Sequence, residues 1–375
     1  MPGVSTVLVV GGGTSGSALT VLLRRAGVTV DVVEIQPDWN VRGSGITLQG
    51  NALRVLRELG VWEEVREQGF GFDVLGLTAP DGTVLHVADE FRTGGPGLPA
   101  TLGMQRPVLQ RILTDAVRAT GARVRLGCTV KSLAQEDTGV EVTFTDGTTG
   151  RYDLVVAADG RRSATRAMIG IADEPESLGM GIWRTPAPRP ASVERTDLAY
   201  GGPCYIAGYC PTGADTIYAY LVEPRRDRES LDRVDRAAEM RRLAGAYGGA
   251  WPQIRETIND PAQVNYTVFD RMLVEGAWHR GRVVLVGDAA HCCPPTLAQG
   301  AAMALEDTLV LAELLTTRDT LDDALLTEYH ERRIPRVRPV VEGSVQLCRW
   351  LLDGVRDADV PGLMARTMIP LSERP

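Results

Sequence analysis

Lysine is nearly missing from this chain: among its 40 Lys and Arg residues only Lys131 is a lysine, a bias that marks a GC-rich genome rather than a function. Cysteine is sparse and unpatterned. Cys128, Cys204, Cys210, Cys292, Cys293 and Cys348 form no CxxC and no zinc-type spacing, which leaves a dithiol redox pair, a disulfide framework and a structural metal without sequence support. No apolar run of membrane-span length is free of charge, because the most apolar long stretch, after Gly300, carries Glu306, Asp307 and Glu313. The formal charge of −8 disfavours nucleic acid and anionic membrane as partners. The N-terminus lacks the charged leader of a signal peptide and runs straight into a Gly-rich turn, so a reducing, cytoplasmic setting is expected.

What is present is 375 residues of ordinary globular composition, enough for one large domain or two of common size. The stretch "STVLVVGGGTSGSALTVLLRRAGVTVDVVEIQ" reads as strand, tight turn, helix, strand. Its Gly11, Gly13 and Gly16 fit G-x-G-x-x-G, with Ser15 inside the same loop. The first glycine permits the turn, the second lets backbone approach a pyrophosphate, and the third lets the helix pack on the sheet. The helix N-terminus then offers free N–H groups to phosphate. Glu34 ends the second strand, where an acid bonds a ribose 2′-hydroxyl. Together these features predict dinucleotide binding, with NAD or FAD favoured over NADP.

Residues 51–68 and 106–120 have helical spacing, and "RVRLGCTV" reads as a strand. Turns at Pro80-Asp81-Gly82 and Asp146-Gly147 predict two hairpins. From 173 to 270 the prolines at 186–190 and the alternating segments "CYIAGYC" and "TIYAYLVEP" predict a mostly antiparallel sheet, with a polar helix over 230–246. "GRVVLVGD" restores a buried strand, and two long helices follow. The expected fold class is α/β: a Rossmann-like dinucleotide-binding domain (1–72, 101–172 and 271–375) with an inserted, mostly antiparallel substrate domain (73–100 and 173–270) and C-terminal helices. Asp159 and Asp288 each follow an apolar strand directly, at the carboxyl ends where α/β sheets bind ligands; the alternative for both is a turn or helix-cap aspartate.

"VLVVGGGTSG", "AADGRRSATR" and "GDAAHCCPPTLAQGAAMALED" are similar to the three motifs of the single-component FAD-dependent aromatic hydroxylases, the class A flavoprotein monooxygenases. "RGSGITLQGNALRVLRELG", "MQRPVLQRIL" and "YHERRIPRV" extend the resemblance. It implies that Gly11, Gly13 and Gly16 hold the FAD pyrophosphate and Glu34 the adenosine ribose. Arg42 and Arg106 would follow the phosphates and ribityl chain, Val130 the adenine, and Asp288 the ribityl hydroxyls, with Gly45 in the same cofactor-binding set. Asp159 would belong to the motif shared by FAD and NAD(P)H, and residues 295–302, with Pro295, Gly300, Ala301 and Ala302, would run against the isoalloxazine ring. Many members have Gly-Gln-Gly where this chain has Ala298-Gln299-Gly300, a methyl that would restrict how far the flavin swings.

The activity implied is hydroxylation of an aromatic or polycyclic small molecule through a flavin C4a-hydroperoxide, using O2 and a transient NADH or NADPH, in a monomer or homodimer. Epoxidation, Baeyer–Villiger insertion, dehydrogenation and flavin binding without turnover are the alternatives. The helix beginning near Gly300 would aim its N-terminal amides at the reduced flavin. No catalytic base is evident: His86, Tyr205, Tyr218 and Tyr220 are candidates, each weighed against surface or sheet-packing roles. Trp183 and Arg184 face the same choice between ligand contact and burial. His291, Cys292 and Cys293 suggest a metal, but adjacent cysteines in extended chain point apart, so a pocket wall is the expectation and no metal is assigned.

Overall fold

The valine-rich strand Thr6–Val10 lies at the centre of a six-stranded sheet in the computed structural model, which describes residues 3–39, 43–227, 231 and 235–375. The order is His279–Arg280, Val283–Leu285, Leu154–Ala157, Thr6–Val10, Thr29–Glu34, Arg123–Leu126, and every neighbour pair is parallel except the first. Successive side chains point to opposite faces. Val7 and Val9 therefore join a core with the helices Thr14–Arg25 and Gly300–Thr317, while Leu8 and Val10 pack against Val140, Val142 and Phe144 of a three-stranded sheet on the other side. Burial on both faces is why these strands read as continuous apolar runs.

The second layer is an eight-stranded sheet ordered His291–Cys292, Asn265–Leu273, Glu176–Pro188, Thr216–Pro224, Ile206–Pro211, Thr196–Tyr200, Val74–Thr78, Val84–Asp89. One face, with Trp183, Tyr209 and Leu221, is covered by the helices Arg236–Ala244 and Trp251–Thr257. The opposite face carries Ile182, Arg184, Tyr218 and Tyr220 towards the helix Asp323–Leu352 and the first layer. Pro186 and Pro188 fit in this sheet because the Asn265–Leu273 strand stops pairing at Arg184, so their missing N–H groups remove no ladder bond. A small sheet of Gly45–Gln49, Thr101–Gln105 and Phe70–Phe72 packs against the eight-stranded one, with Gly103 close to Pro211 and Thr47 bonded to Tyr218.

Three local expectations change. The helix expected over 51–68 is two helices, Gly50–Glu58 and Trp62–Gln68, because Gly60 takes φ 68° and ends the first. "RVRLGCTV" is broken at Gly127, φ 66°, into Arg123–Leu126 and the start of Val130–Glu136. The polar helix is Arg236–Ala244, capped by Asp235, while residues 230 and 232–234 of its expected span lie outside the described residues. No helix among the described residues is long and apolar enough to cross a membrane.

Candidate active site

Each glycine of the G-x-G-x-x-G turn has a different physical demand on it. Gly11 has φ 103°, and a Cβ there would meet the Ala158 carbonyl oxygen at 2.4 Å. A Cβ on Gly16 would meet the Gly11 oxygen at 1.9 Å, so helix and strand could not close. Nothing lies within 4 Å of the position a Cβ on Gly13 would occupy, which leaves backbone at the helix start open to a ligand. Gly12 locks the turn. Its oxygen accepts from Trp39 Nε1 (2.7 Å), Gln110 Nε2 (2.8 Å) and Ser17 Oγ (3.0 Å), and its N–H donates to Glu34 Oε2 at 2.8 Å. Glu34 Oε1 also accepts from Gln36 N at 2.9 Å, so this acid braces the glycine-rich turn at the strand end. Val130 is 4% exposed and packs in the core, so only its backbone can meet an adenine.

The two strand-end aspartates differ. Asp159 is engaged locally: its oxygens accept from the Ser163 hydroxyl and from Thr165 N (3.1 Å) and Oγ1 (2.9 Å), shaping the turn into the short helix Ala164–Met168. Asp288 sits in a one-turn 3-10 helix, Gly287–Ala289, next to the glycine-rich turn, where a Cβ on Gly287 would meet Ser15 Oγ at 2.6 Å. Its side chain is exposed, with protein packed densely nearby. Desolvation raises its carboxyl above the ordinary range, against the charges of His291, Arg106 and Arg161. Arg106 opens the helix Arg106–Ala119 and is exposed; its charge reaches both Asp288 and Arg184, which puts it between the two layers. Arg42 lies outside the described residues.

The segment from Pro295 to Ala302 turns sharply. Pro295–Leu297 is a 3-10 turn ended by Ala298 at φ 52°, ψ 29°, the one left-handed residue other than glycine among the described residues. Gly300 starts an 18-residue helix with no acid in its first turn, and a Cβ there would have only Cys293 Sγ, 3.8 Å away, within 4 Å. Ala301 and Ala302 follow, half-buried and buried.

Beneath this turn is a network that sequence reasoning missed. Gln299 and Asn51 exchange hydrogen bonds of 3.1 and 3.2 Å, and Asn51 also reaches Glu306. Glu306 pairs with Arg333, Arg336 and Arg54. Asp307 pairs with Arg333 at 2.7 Å and accepts from His291 Nε2 (2.7 Å) and Gly287 N (2.8 Å). Burial opposes charge on both acids, but Arg333 and Arg336 hold Glu306, and His291 and Arg333 hold Asp307, below the ordinary carboxylate range. The available signal was an acidic pair on an otherwise apolar helix, which is costly unless paired. His291 is thus a structural partner of Asp307, and among the described residues no group of three His, Cys, Asp or Glu gathers as a metal site.

The facing wall is the open side of the eight-stranded sheet. Tyr218 donates to or accepts from Thr47 Oγ1 at 2.8 Å and stacks on Tyr220 with centroids 5.3 Å apart. Gly45 makes room for it, since a Cβ there would meet Tyr218 Cδ1 at 2.1 Å, and Gly208 does the same for the Tyr220 ring at 2.6 Å. Burial pushes both phenols above their usual range and the Cys210 thiol beside them up to about 11. Trp183 faces the opposite side, buried with its Nε1 on Glu223 at 2.6 Å. Tyr205 packs beside Ile206 and Val222, and His86 is exposed on the edge strand. Glu90, unremarked in the sequence, follows that strand with its carboxyl raised to about 7 by burial.

The FAD-binding-domain family model matches residues 4–344. YetM of Bacillus subtilis is 33% identical, over 94% of this chain and 95% of that protein. The 3-amino-4-hydroxybenzoate 2-monooxygenase of Streptomyces platensis is 31% identical, over 89% and 85%. Among solved structures, Klebsiella pneumoniae HpxO complexed with FAD and uric acid is similar in fold, with a TM-score of 0.80 at 23% identity over 98% of this chain and 92% of that one. The open phosphate loop and the helix start at Gly300 suit FAD, and the chain belongs to the FAD-dependent monooxygenases of the class A flavoprotein hydroxylase family.

Proposed function

We propose that this protein uses NAD(P)H and O2 to hydroxylate a planar aromatic small molecule, with FAD held between the two layers. One observation carries the reading: the charge of Arg106 acts on both Asp288, whose turn touches the glycine loop at Ser15, and Arg184, on the sheet face that carries the stacked Tyr218 and Tyr220. Backbone at Gly13 and the first amides of Thr14–Arg25 would hold the pyrophosphate, with Gly11, Ser15, Gly16 and Glu34 fixing that turn. Asp288 would accept from ribityl hydroxyls, Arg106 would neutralise phosphate, and the backbone of Val130 would meet the adenine. Pro295, Gly300, Ala301 and Ala302 would line the ring system. Asp159 would act through the turn it shapes. The Streptomyces relative is named for 3-amino-4-hydroxybenzoate and the HpxO structure holds uric acid; both molecules are flat and polar, which supports the same class here.

FAD held by these residues would supply the two-electron chemistry between NAD(P)H and O2. The balance is ArH + O2 + NAD(P)H + H+ giving ArOH + H2O + NAD(P)+. The chain's own residues supply the surroundings. Amides at the start of Gly300–Thr317 stabilise negative charge that develops beside them. The Tyr218 hydroxyl, paired with Thr47 and kept protonated, can orient a substrate oxygen. Purified protein loaded with FAD should oxidise NADH or NADPH faster when a suitable phenol, hydroxybenzoate or polycyclic aromatic is added. A protein that takes up no FAD overturns the reading.

A further inference from the structure

Gln299 is fully buried in a place where a side chain that meets a ligand would be expected. It stands between Ala298 and Gly300, in the turn proposed to line the ring system. Its amide is turned inward instead. Oε1 accepts from Asn51 Nδ2 at 3.1 Å, and Nε2 donates to Asn51 Oδ1 at 3.2 Å. Nε2 also lies 3.6 Å from Met368 Sδ, at the end of the helix Val360–Met368.

Asn51, on the helix Gly50–Glu58, uses its whole side chain to hold that position. Nδ2 donates to Gln299 Oε1 and to Glu306 Oε1 (3.1 Å), while Oδ1 accepts from Gln299 Nε2 and from Thr93 Oγ1 (3.2 Å). An amide has two N–H donors and two lone pairs on oxygen, so nothing is left over. Glu306 sets the polarity of the chain of bonds. An ionised carboxylate only accepts, so the Asn51 NH2 must face it, and the Asn51 oxygen is left for Gln299 Nε2. Burial opposes that charge, but Arg333 and Arg336 pair with Glu306 and keep it ionised. The direction of the Gln299 amide is therefore dictated, through Asn51, by a buried ion-pair network.

The consequence lies in what Gln299 leaves undone. It flanks the start of the helix Gly300–Thr317 and makes no side-chain cap there. Met303 N, bonded to Gln299 O at 2.9 Å, is the first helix amide with a partner; among the described residues nothing accepts from the N–H groups of Gly300, Ala301 or Ala302. A side-chain oxygen at this flanking position can accept from such amides. Building on the FAD-dependent reading, we propose that Asn51 is a positioning residue, which holds Gln299 inward and so leaves the amides of Gly300, Ala301 and Ala302 free for the negative charge of reduced flavin. Released from Asn51, the Gln299 oxygen turns towards those donors and competes with the cofactor for them.

The test compares wild type, Asn51→Ala and the double variant Asn51→Ala/Gln299→Ala by two measurements: the midpoint potential of bound FAD, and hydrogen exchange of the FAD-free proteins followed by mass spectrometry. In Asn51→Ala the preference for reduced over oxidised FAD should fall about tenfold, the effect of one hydrogen bond to a charged group. For a two-electron couple that is a potential about 30 mV more negative. The second substitution removes the competing side chain, so the double variant should return towards the wild-type potential although it has lost two buried amides. In FAD-free Asn51→Ala, exchange at Gly300, Ala301 and Ala302 should slow, because Gln299 now caps them; a purely structural role for Asn51 would loosen the turn and speed exchange. A wild-type potential in Asn51→Ala, a double variant shifted as far as the single one, or faster exchange at these amides overturns the proposal. Should Asn51→Ala not fold, Asn51→Ser takes its place with the same outcomes expected. Protein that takes up no FAD counts against the monooxygenase reading, and the exchange measurement still decides where Gln299 points.

Discussion

His291 Nε2 donates to Asp307 Oδ2 across a fully enclosed 2.7 Å contact, and the same oxygen receives the Gly287 N–H. The turn that presents Asp288 is therefore anchored to a buried acid that Arg333 also grips. Removing one partner of such a group leaves uncompensated charge, so Asp307→Ala should lose about 3–5 kcal/mol of stability in urea denaturation. Because His291 and Arg333 hold the Asp307 carboxyl below its ordinary value despite burial, its contribution is complete above the unfolded range, near pH ~4, and is lost as pH falls through the lowered value. Melting temperature should fall more steeply below about pH 4 in wild type than in Asp307→Asn. Parallel curves would mean the pair does not carry this stability.

Asp288 should behave in the opposite way. Desolvation raises its carboxyl, so in the FAD-free protein ionising it costs stability as pH rises through the raised value. Asp288→Asn should raise the melting temperature of FAD-free protein at neutral pH. Asp288→Ala should weaken FAD binding by about 1.5–3 kcal/mol, the loss of one hydrogen bond to a charged group. Unchanged affinity in a fluorescence titration would remove Asp288 from the cofactor site.

The three glycines of the loop separate folding from binding. Gly16→Ala drives a Cβ to 1.9 Å from the Gly11 oxygen and should prevent normal folding. Gly13 has φ −73° and open space around it, so Gly13→Ala should keep the stability of the FAD-free protein within about 0.5 kcal/mol. Its FAD affinity should drop about tenfold or more if a pyrophosphate approaches that backbone. Wild-type affinity in this variant would place the phosphates elsewhere.

Ala298 carries a left-handed backbone at φ 52°, where an L side chain costs roughly 1–2 kcal/mol relative to right-handed geometry. Glycine adopts it freely but loses more freedom on folding. Ala298→Gly should be neutral to about 1 kcal/mol more stable in denaturant melts. If the methyl restrains the flavin, stopped-flow reduction by NAD(P)H should also quicken. An unaltered reduction rate would confine Ala298 to backbone strain.

The parts legible in sequence are those set by local rules. The unbroken apolar run of residues 6–10 marked a strand buried on both faces, which Val7 and Val9 on one side and Leu8 and Val10 on the other bear out, and glycine spacing marked the tight turn after it. The hidden parts depend on pairings across the fold. Asp307 and Arg333 are 26 residues apart on two helices, and nothing in either segment names the partner. Gly45 read as a cofactor residue, but its lack of a side chain also admits the Tyr218 ring from a strand far along the chain. The pairing of Arg184 with Tyr220 is likewise set by strand register, which neither segment announces.

Isotopically labelled O2 distinguishes oxygen insertion from every other outcome of flavin oxidation. FAD-loaded protein, NAD(P)H and an aromatic acid that accelerates NAD(P)H oxidation should yield a hydroxylated product carrying one labelled oxygen atom for each NAD(P)H consumed in productive turnover. Product whose new oxygen comes from water, or NAD(P)H oxidation that yields only hydrogen peroxide with every aromatic tested, would contradict the account.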